Sequence, residues 1–261
     1  MCLVAFGWKA HPNYSLIVGA NRDEWRDRPA SPATWWDDHP QILAGRDLKA
    51  GGTWMGVSRG GRFAAVTNFR DPSDKRSMAR SRGELVTAFL LGTESPGDFL
   101  SSISARAHEY NGFNLVAADS SSMAYFGSRV GEIKLLEPGV YALSNHTLNE
   151  PWPKVISAKS ALEAALRAEM SETARQMAIY DFLSSKAIAS DTALPDTGVG
   201  IERERVLSSA LIVTPEYGTR ASTILSITND DSVSLSEHTR GADGSVSHVA
   251  EFSFDISDSR H

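Results

Sequence analysis

Apolar residues crowd into short, β-rich runs over the first seventy positions, and polar turn residues break the runs apart. Residues 2–8 (CLVAFGW) and 14–20 (YSLIVGA) predict two strands either side of the turn His11-Pro12-Asn13. A polar, proline-punctuated loop follows. Residues 52–58 and 62–68 then read as a hairpin around Arg59-Gly60-Gly61. From residue 81 the spacing becomes helical. Ser81-Arg82-Gly83-Glu84 has the form of a capping box ahead of LVTAFLL, and Gly92 is placed to end that helix. Ser95-Pro96 offers an N-cap and a first-turn proline for a second helix running to about His108.

Strand signals return between 113 and 144, in runs separated by Asp119-Ser120-Ser121-Ser122, by Ser128 and Gly131, and by Pro138-Gly139. A second helix pair is predicted over about 153–170 and 172–187, and a loop over 190–200. The tail predicts strands over 210–213, 220–228, 232–239 and 247–255, with a turn at Gly241-Ala242-Asp243-Gly244. No internal repeat, low-complexity tract or long linker divides the chain, so one domain over 1–261 is expected. Each helix pair needs a sheet to cover, and there is too much strand for one open layer. The expected fold is therefore α+β, a four-layer αββα sandwich of two stacked antiparallel sheets flanked by helix pairs.

Composition narrows the function. The 261 residues are 41% hydrophobic, enough for a substantial core, and carry a net charge of −6 without a dense basic block. Nucleic acid and an anionic membrane surface are poor partners for such a chain. Apolar stretches such as 85–91 are too short to span a bilayer, and the N-terminus lacks the pattern of a signal peptide. A cytoplasmic location with no transmembrane segment is expected, and the sequons at Asn13 and Asn145 read as coincidence. A single cysteine excludes an intrachain disulfide and any multi-cysteine metal site. Asp37-Asp38-His39 reads as an exposed loop, so no metal is assigned. Walker and Rossmann glycine loops and a Cys-x-x-Cys-His haem attachment are absent.

That one cysteine is Cys2, directly behind the start methionine. If Met1 is removed, the α-amine of Cys2 becomes a built-in base beside its own thiol, their unperturbed pKa values being about 8 and 8.5. A guanidinium would favour the thiolate, a carboxylate would orient the amine, and asparagine amides would stabilise an oxyanion. Those residue types lie in polar clusters at predicted strand ends: GANRDEWRDRP (19–29), TNFRDP (67–72), LSNHTLNEPWPK (143–154) and YGTRASTI (217–224). Asp23 and Glu24 could equally pair with the nearby arginines in a solvated cluster, and Asn68 and Asn145 could satisfy turns.

The motifs Asn21-Arg22-Asp23-Glu24, TNFRD and SNHTLNEPWPK, in this order, resemble the NRDE-motif family, also named for transport and Golgi organisation protein 2. The resemblance runs from Cys2 to at least the GTRAST segment. It implies a fold like that of N-terminal-nucleophile hydrolases. The first third is similar to bile salt hydrolases and penicillin V acylases, which also begin Met-Cys and follow with a hairpin. On that analogy Cys2 is the nucleophile and Asp23 the orienting carboxylate, Asn68 and Asn145 form the oxyanion hole, and Arg220 sits beside the thiol. Arg22 is the candidate for the first arginine, although its spacing to the aspartate differs from that in the hydrolases. The family is linked to haem trafficking and to lipid metabolism, and no hydrolysed substrate is implied. Two readings therefore stand. One is a hydrolase of an amide or thioester that needs no cofactor. The other is a non-catalytic carrier for haem or an acyl-lipid. Trp25, Trp35 and Trp36, in a polar loop, are candidates for an aromatic-walled pocket, with His146 as a further ligand-binding candidate.

Overall fold

The computed structural model describes residues 2–73 and 79–257. The strands in chain order are β1 (Cys2–His11), β2 (Tyr14–Trp25), β3 (Ala30–Trp35), β4 (Ile42–Asp47), β5 (Met55–Ser58), β6 (Phe63–Asn68), β7 (Phe113–Ala118), β8 (Met123–Gly127), β9 (Ile133–Leu135), β10 (Gly139–Leu143), β11 (Tyr217–Thr228), β12 (Ser232–Arg240) and β13 (Val246–Asp255). The helices are α1 (Gly83–Leu91), α2 (Pro96–Ala105), α3 (Pro153–Arg167), α4 (Glu172–Leu183) and α5 (Ile201–Leu207).

Both faces of β1 are apolar and both are buried. Val4, Phe6 and Trp8 belong to one core, Leu3 and Ala5 to another. A strand covered on both sides must lie in a middle layer, and β1 does. One sheet runs β10-β1-β2-β11-β12-β13, the other β3-β4-β5-β6-β7-β8-β9, and every pairing is antiparallel. Between the sheets, Val4, Phe6, Val18 and Leu225 meet Val57, Phe63, Ala65 and Val116. Leu85, Val86, Phe89 and Leu100 of α1 and α2 cover the outer face of the second sheet, over Ala64, Leu115 and Phe126. Leu162, Leu166, Ile179 and Leu183 of α3 and α4 cover the first, over Leu3, Ala5 and Ile17. The layers are helix–sheet–sheet–helix, as expected.

Close approach of α4 depends on Gly19. A Cβ there would lie 2.6 Å from Ile179 Cγ2 and 3.1 Å from the Phe182 ring. Among the described residues, no helix is long and apolar enough to cross a membrane.

Several local expectations change. The stretch expected as one loop after residue 20 holds the end of β2 and all of β3 and β4. β2 carries the polar residues 21–24 because its backbone is paired on both sides, to β1 and β11. β3 is a partly exposed edge strand, so its composition gives no clean alternation. The capping box does not form. Arg82 occupies the N-cap in helical conformation, and the Glu84 carboxylate instead accepts from Tyr110 Oη at 2.6 Å and pairs with Arg80 at 2.7 Å. The N-cap at Ser95 is present, accepting from the Asp98 backbone N–H. Residues 210–213 form no strand and contribute one bridge, Val213 to Gly218. The charged segment IERERVL forms α5, which its few apolar positions did not announce.

Candidate active site

In the β1–β2 ladder Cys2 lies directly opposite Arg22. Residues alternate faces along a strand, so Cys2 and Arg22 share the inter-sheet side with Val4 and Ala20. Asn21 and Asp23 take the other side, towards α3 and α4. The Asn21 amide donates to the carbonyls of Leu183 and Ala210, both at 2.8 Å. On the far edge of β2, Thr219 of β11 faces Asp23 and Ala221 faces Arg22. The register slips between them, which makes Arg220 the extra residue of a β-bulge beside the cysteine. Its Nη1 donates to the carbonyls of Trp25, Arg26 and Arg28, at 3.0 to 3.2 Å, and so ties down the turn after β2.

These strand ends open into a pocket of about 660 Å³ that reaches across to the second sheet. Cys2, Arg22, Asp23, Asn68, Arg220 and Trp25 all line it. Cys2 lines it at 7% exposure, and burial pushes its thiol pKa up. Asp23 is also buried. Its Oδ1 accepts from Thr219 Oγ1 at 2.7 Å, burial pushes its carboxyl up, and the Lys154 ammonium is the first charge to oppose that. The side-chain amide of Asn68, half-buried at the end of β6, makes no hydrogen bond among the described residues. Arg22 is loosely held, with Nη2 3.7 Å from Glu24 and 3.9 Å from Asp47, the latter gripped more closely by Arg28 at 2.6 Å.

The other candidates lie elsewhere. Asn145 is fully buried behind the wall. Its Nδ2 donates to the Asn68 carbonyl at 2.9 Å, so it positions β6 and does not face the pocket. His146 packs between the rings of Phe69 and Trp152, with Nδ1 2.7 Å from Glu150 Oε2, outside the lining. Trp36 is a core residue under α1 and α2, its Nε1 donating to the Ala44 carbonyl. Trp35 packs edge-on against Phe254 beneath the Arg59 guanidinium. Trp25, half-exposed at the rim, and Trp54 are the tryptophans of the lining. The expected aromatic wall is mostly a charged one. Among the described residues, seven arginines or lysines line the space against four carboxylates, in a chain whose net charge is −6.

Three residues went unread in the sequence: Thr219, Lys154 and Arg70. Lys154, in the first turn of α3, is 5% exposed, and burial lowers its pKa to about 8. Arg70, just past β6, is buried with Glu204 of α5, at 2.5 Å. All three fall within the polar clusters that stood out, but a lysine at a helix start reads as solvated. Among the described residues no group of three or more His, Cys, Asp or Glu side chains is arranged for a metal ion.

The profile of the family Transport and Golgi organisation 2 matches residues 1–242. The Transport and Golgi organization protein 2 homolog of Bos taurus is 38% identical over 260 residues, covering 91% of this chain and 92% of that protein. The Homo sapiens homolog is 37% identical, covering 95% and 96%. Among solved structures, a Caenorhabditis elegans N-acylethanolamine-hydrolyzing acid amidase ortholog overlays at 9% identity with a TM-score of 0.48, covering 86% of this chain and 92% of that one. A mutant conjugated bile acid hydrolase from Clostridium perfringens overlays at 8% identity and 0.39, covering 98% of each. Neither overlay is close enough to carry an argument about chemistry.

Proposed function

The chain belongs to the Transport and Golgi organisation 2 family, and we propose that it is an N-terminal-cysteine hydrolase cleaving a carbon–nitrogen amide or a thioester through an acyl-enzyme at Cys2. The observation that carries this reading is the convergence of the Cys2 thiol, the Arg22 guanidinium and the unbonded Asn68 amide on one pocket. Met1 lies outside the described residues, and its removal is part of the proposal. The freed α-amine takes the thiol proton, Sγ attacks the carbonyl carbon, and Asn68 Nδ2 is available to the resulting oxyanion. The C–N or C–S bond then breaks, with the proton passing to the departing amine or thiol. Water, deprotonated by the same amine, hydrolyses the thioester at Cys2. Asp23 orients the α-amine. The cation-rich lining favours substrates that carry an acidic group.

Intact mass spectrometry, followed by a panel of N-acyl and acyl-thioester substrates with carboxylate ends, tests this. Loss of one methionine, with turnover that disappears in Cys2→Ala, is the expected result. A retained Met1, or turnover indifferent to the thiol, overturns it.

The carrier reading is favoured by the pocket's volume, which suits a cofactor-sized ligand. For haem the fit is poor. Among the described residues the lining holds no histidine, methionine or tyrosine, which leaves Cys2 as the iron ligand of the usual kind. An acyl-lipid with an acidic head suits the cationic wall better. Saturable acyl-lipid binding that survives in Cys2→Ala, without turnover, would favour a carrier.

A further inference from the structure

We infer that the pocket reads the far end of its ligand, where Glu237 and Thr239 select an acyl chain ending in a group that both donates and accepts a hydrogen bond, a hydroxyl or a carboxamide. This rests on the premise shared by the hydrolase and carrier readings, that the ligand's carbonyl end lies at Cys2.

Sheet register sets the distance. Cys2 faces Arg22, Arg22 faces Ala221, and Ala221 faces Thr239. These four residues form one rung across β1, β2, β11 and β12. At ordinary strand spacing its ends lie about 14 Å apart. Leu225 and Ile227 of β11, with Val233 and Leu235 of β12, belong to the inter-sheet core. Alternation therefore turns Ala221 and Thr223, and Glu237 and Thr239, to that same side. The four members of the rung and Glu237 all line the pocket. Thiol and hydroxyl thus stand at opposite ends of one floor, and only the small Ala221 separates Arg22 from Thr239.

The far end is polar where the layer would otherwise continue apolar. Thr239 Oγ1 is buried and has no hydrogen-bond partner among the described residues. Glu237, 4% exposed, accepts from the Ala33 backbone N–H at 2.7 Å through Oε1 and from Thr223 Oγ1 at 3.2 Å through Oε2. The first bond has a structural cause: the β3–β4 register slips between Ser31 and Thr34, where Ala33 lies. Each oxygen thus takes one bond among the described residues, and a carboxylate offers about four acceptor sites in all. Gly45, across on β4, keeps a side chain away from Oε2, since a Cβ there would lie 3.7 Å from it and 3.2 Å from the Ser31 carbonyl. A hydroxyl or carboxamide accepts from Thr239 and donates to Glu237. A methyl end does neither and leaves the Thr239 hydroxyl buried and unpaired. An ammonium end is disfavoured by a lining in which arginines and lysines outnumber carboxylates.

The test is calorimetric titration of the full chain with decanoate, ω-hydroxydecanoate and the ω-carboxamide of the same chain length. One of the two polar-ended probes is expected to bind wild type about 10-fold or more tighter than decanoate, and which one does so identifies the end group. In Thr239→Val and in Glu237→Gln, which keeps an acceptor for the Ala33 N–H, that preference is expected to shrink to about 2-fold or less, with decanoate affinity little changed. Thr239→Val removes only an unpartnered hydroxyl, so it serves alone should Glu237→Gln not fold. Equal affinities for the three probes in wild type overturn the inference, as does a preference that survives in the folded variants. Failure of all three to bind also overturns it, because the rung then holds no acyl chain; turnover lost in Cys2→Ala on other substrates would still uphold the hydrolase reading. Selective binding without any turnover refutes the hydrolase reading alone.

Discussion

Thr219 Oγ1 donates to Asp23 Oδ1 at 2.7 Å, joining positions 196 residues apart in sequence. The same Thr219 oxygen accepts from the Ile212 backbone N–H at 2.9 Å. One hydroxyl therefore links the loop before β11 to the carboxylate beside Cys2. It fixes Asp23 without adding charge to it.

Replacing Asn68 by Ala is expected to lower kcat by about 10²-fold or more with KM little changed, because an oxyanion donor acts in the transition state. Steady-state kinetics on any substrate found for the wild type would check this. A change confined to KM would place Asn68 in ground-state binding instead.

Removing the carboxylate of the Arg70–Glu204 pair leaves a buried guanidinium unpaired. Glu204→Gln is expected to lose about 3–5 kcal/mol in urea unfolding, and Arg70→Met with Glu204→Leu to recover most of it. Equal losses in the single and double variants would show that packing, not charge, governs the site.

Gly19→Ala places a Cβ 2.6 Å from Ile179 Cγ2. A destabilisation of about 1–3 kcal/mol is expected, read as a lowered urea midpoint. In a double-mutant cycle with Ile179→Ala, the combined loss should be smaller than the sum of the two single losses.

Stability should fall above about pH 10. Burial raises the phenols of Tyr125 and Tyr180 to about 12 in the folded chain. Between about 10 and 12 the unfolded state then holds fewer protons than the folded one, so stability is full below the unfolded pKa and is lost as pH rises through the folded one. Lys154 acts oppositely. Its folded pKa of about 8 lies below its unfolded value, so its contribution to stability increases as pH rises from about 8 to 10. Urea midpoints across the alkaline range, in wild type and Tyr180→Phe, should show the fall blunted in the variant.

Legibility followed burial. β1, β2 and the β5–β6 hairpin carry dense apolar runs and could be read directly; β3, half-exposed at a sheet edge and containing Pro32, could not. Cys2, Arg22, Asp23, Asn68 and Arg220 were legible as polar residues at strand ends, and all five reach the pocket. Trp35 and Trp36 misled because their segment looked like a loop, whereas Trp36 is pinned to β4 through its indole N–H. Lys154 and Glu204 were hidden for a different reason. Charged residues in the first turn of a helix ordinarily face water, and only tertiary packing shows that these two do not.

The strand that carries Arg22 and Asp23 has β1 on one side and β11 on the other. During synthesis the first neighbour emerges at once, while the second follows only after some two hundred further residues. Until then β2 has an open edge, Asp23 lacks Thr219, and the bulge that carries Arg220 does not exist. A ribosome-bound chain of this protein thus exposes its cysteine long before it can assemble the groups around it. Until the last sheet strands arrive, that open edge is free to pair wrongly.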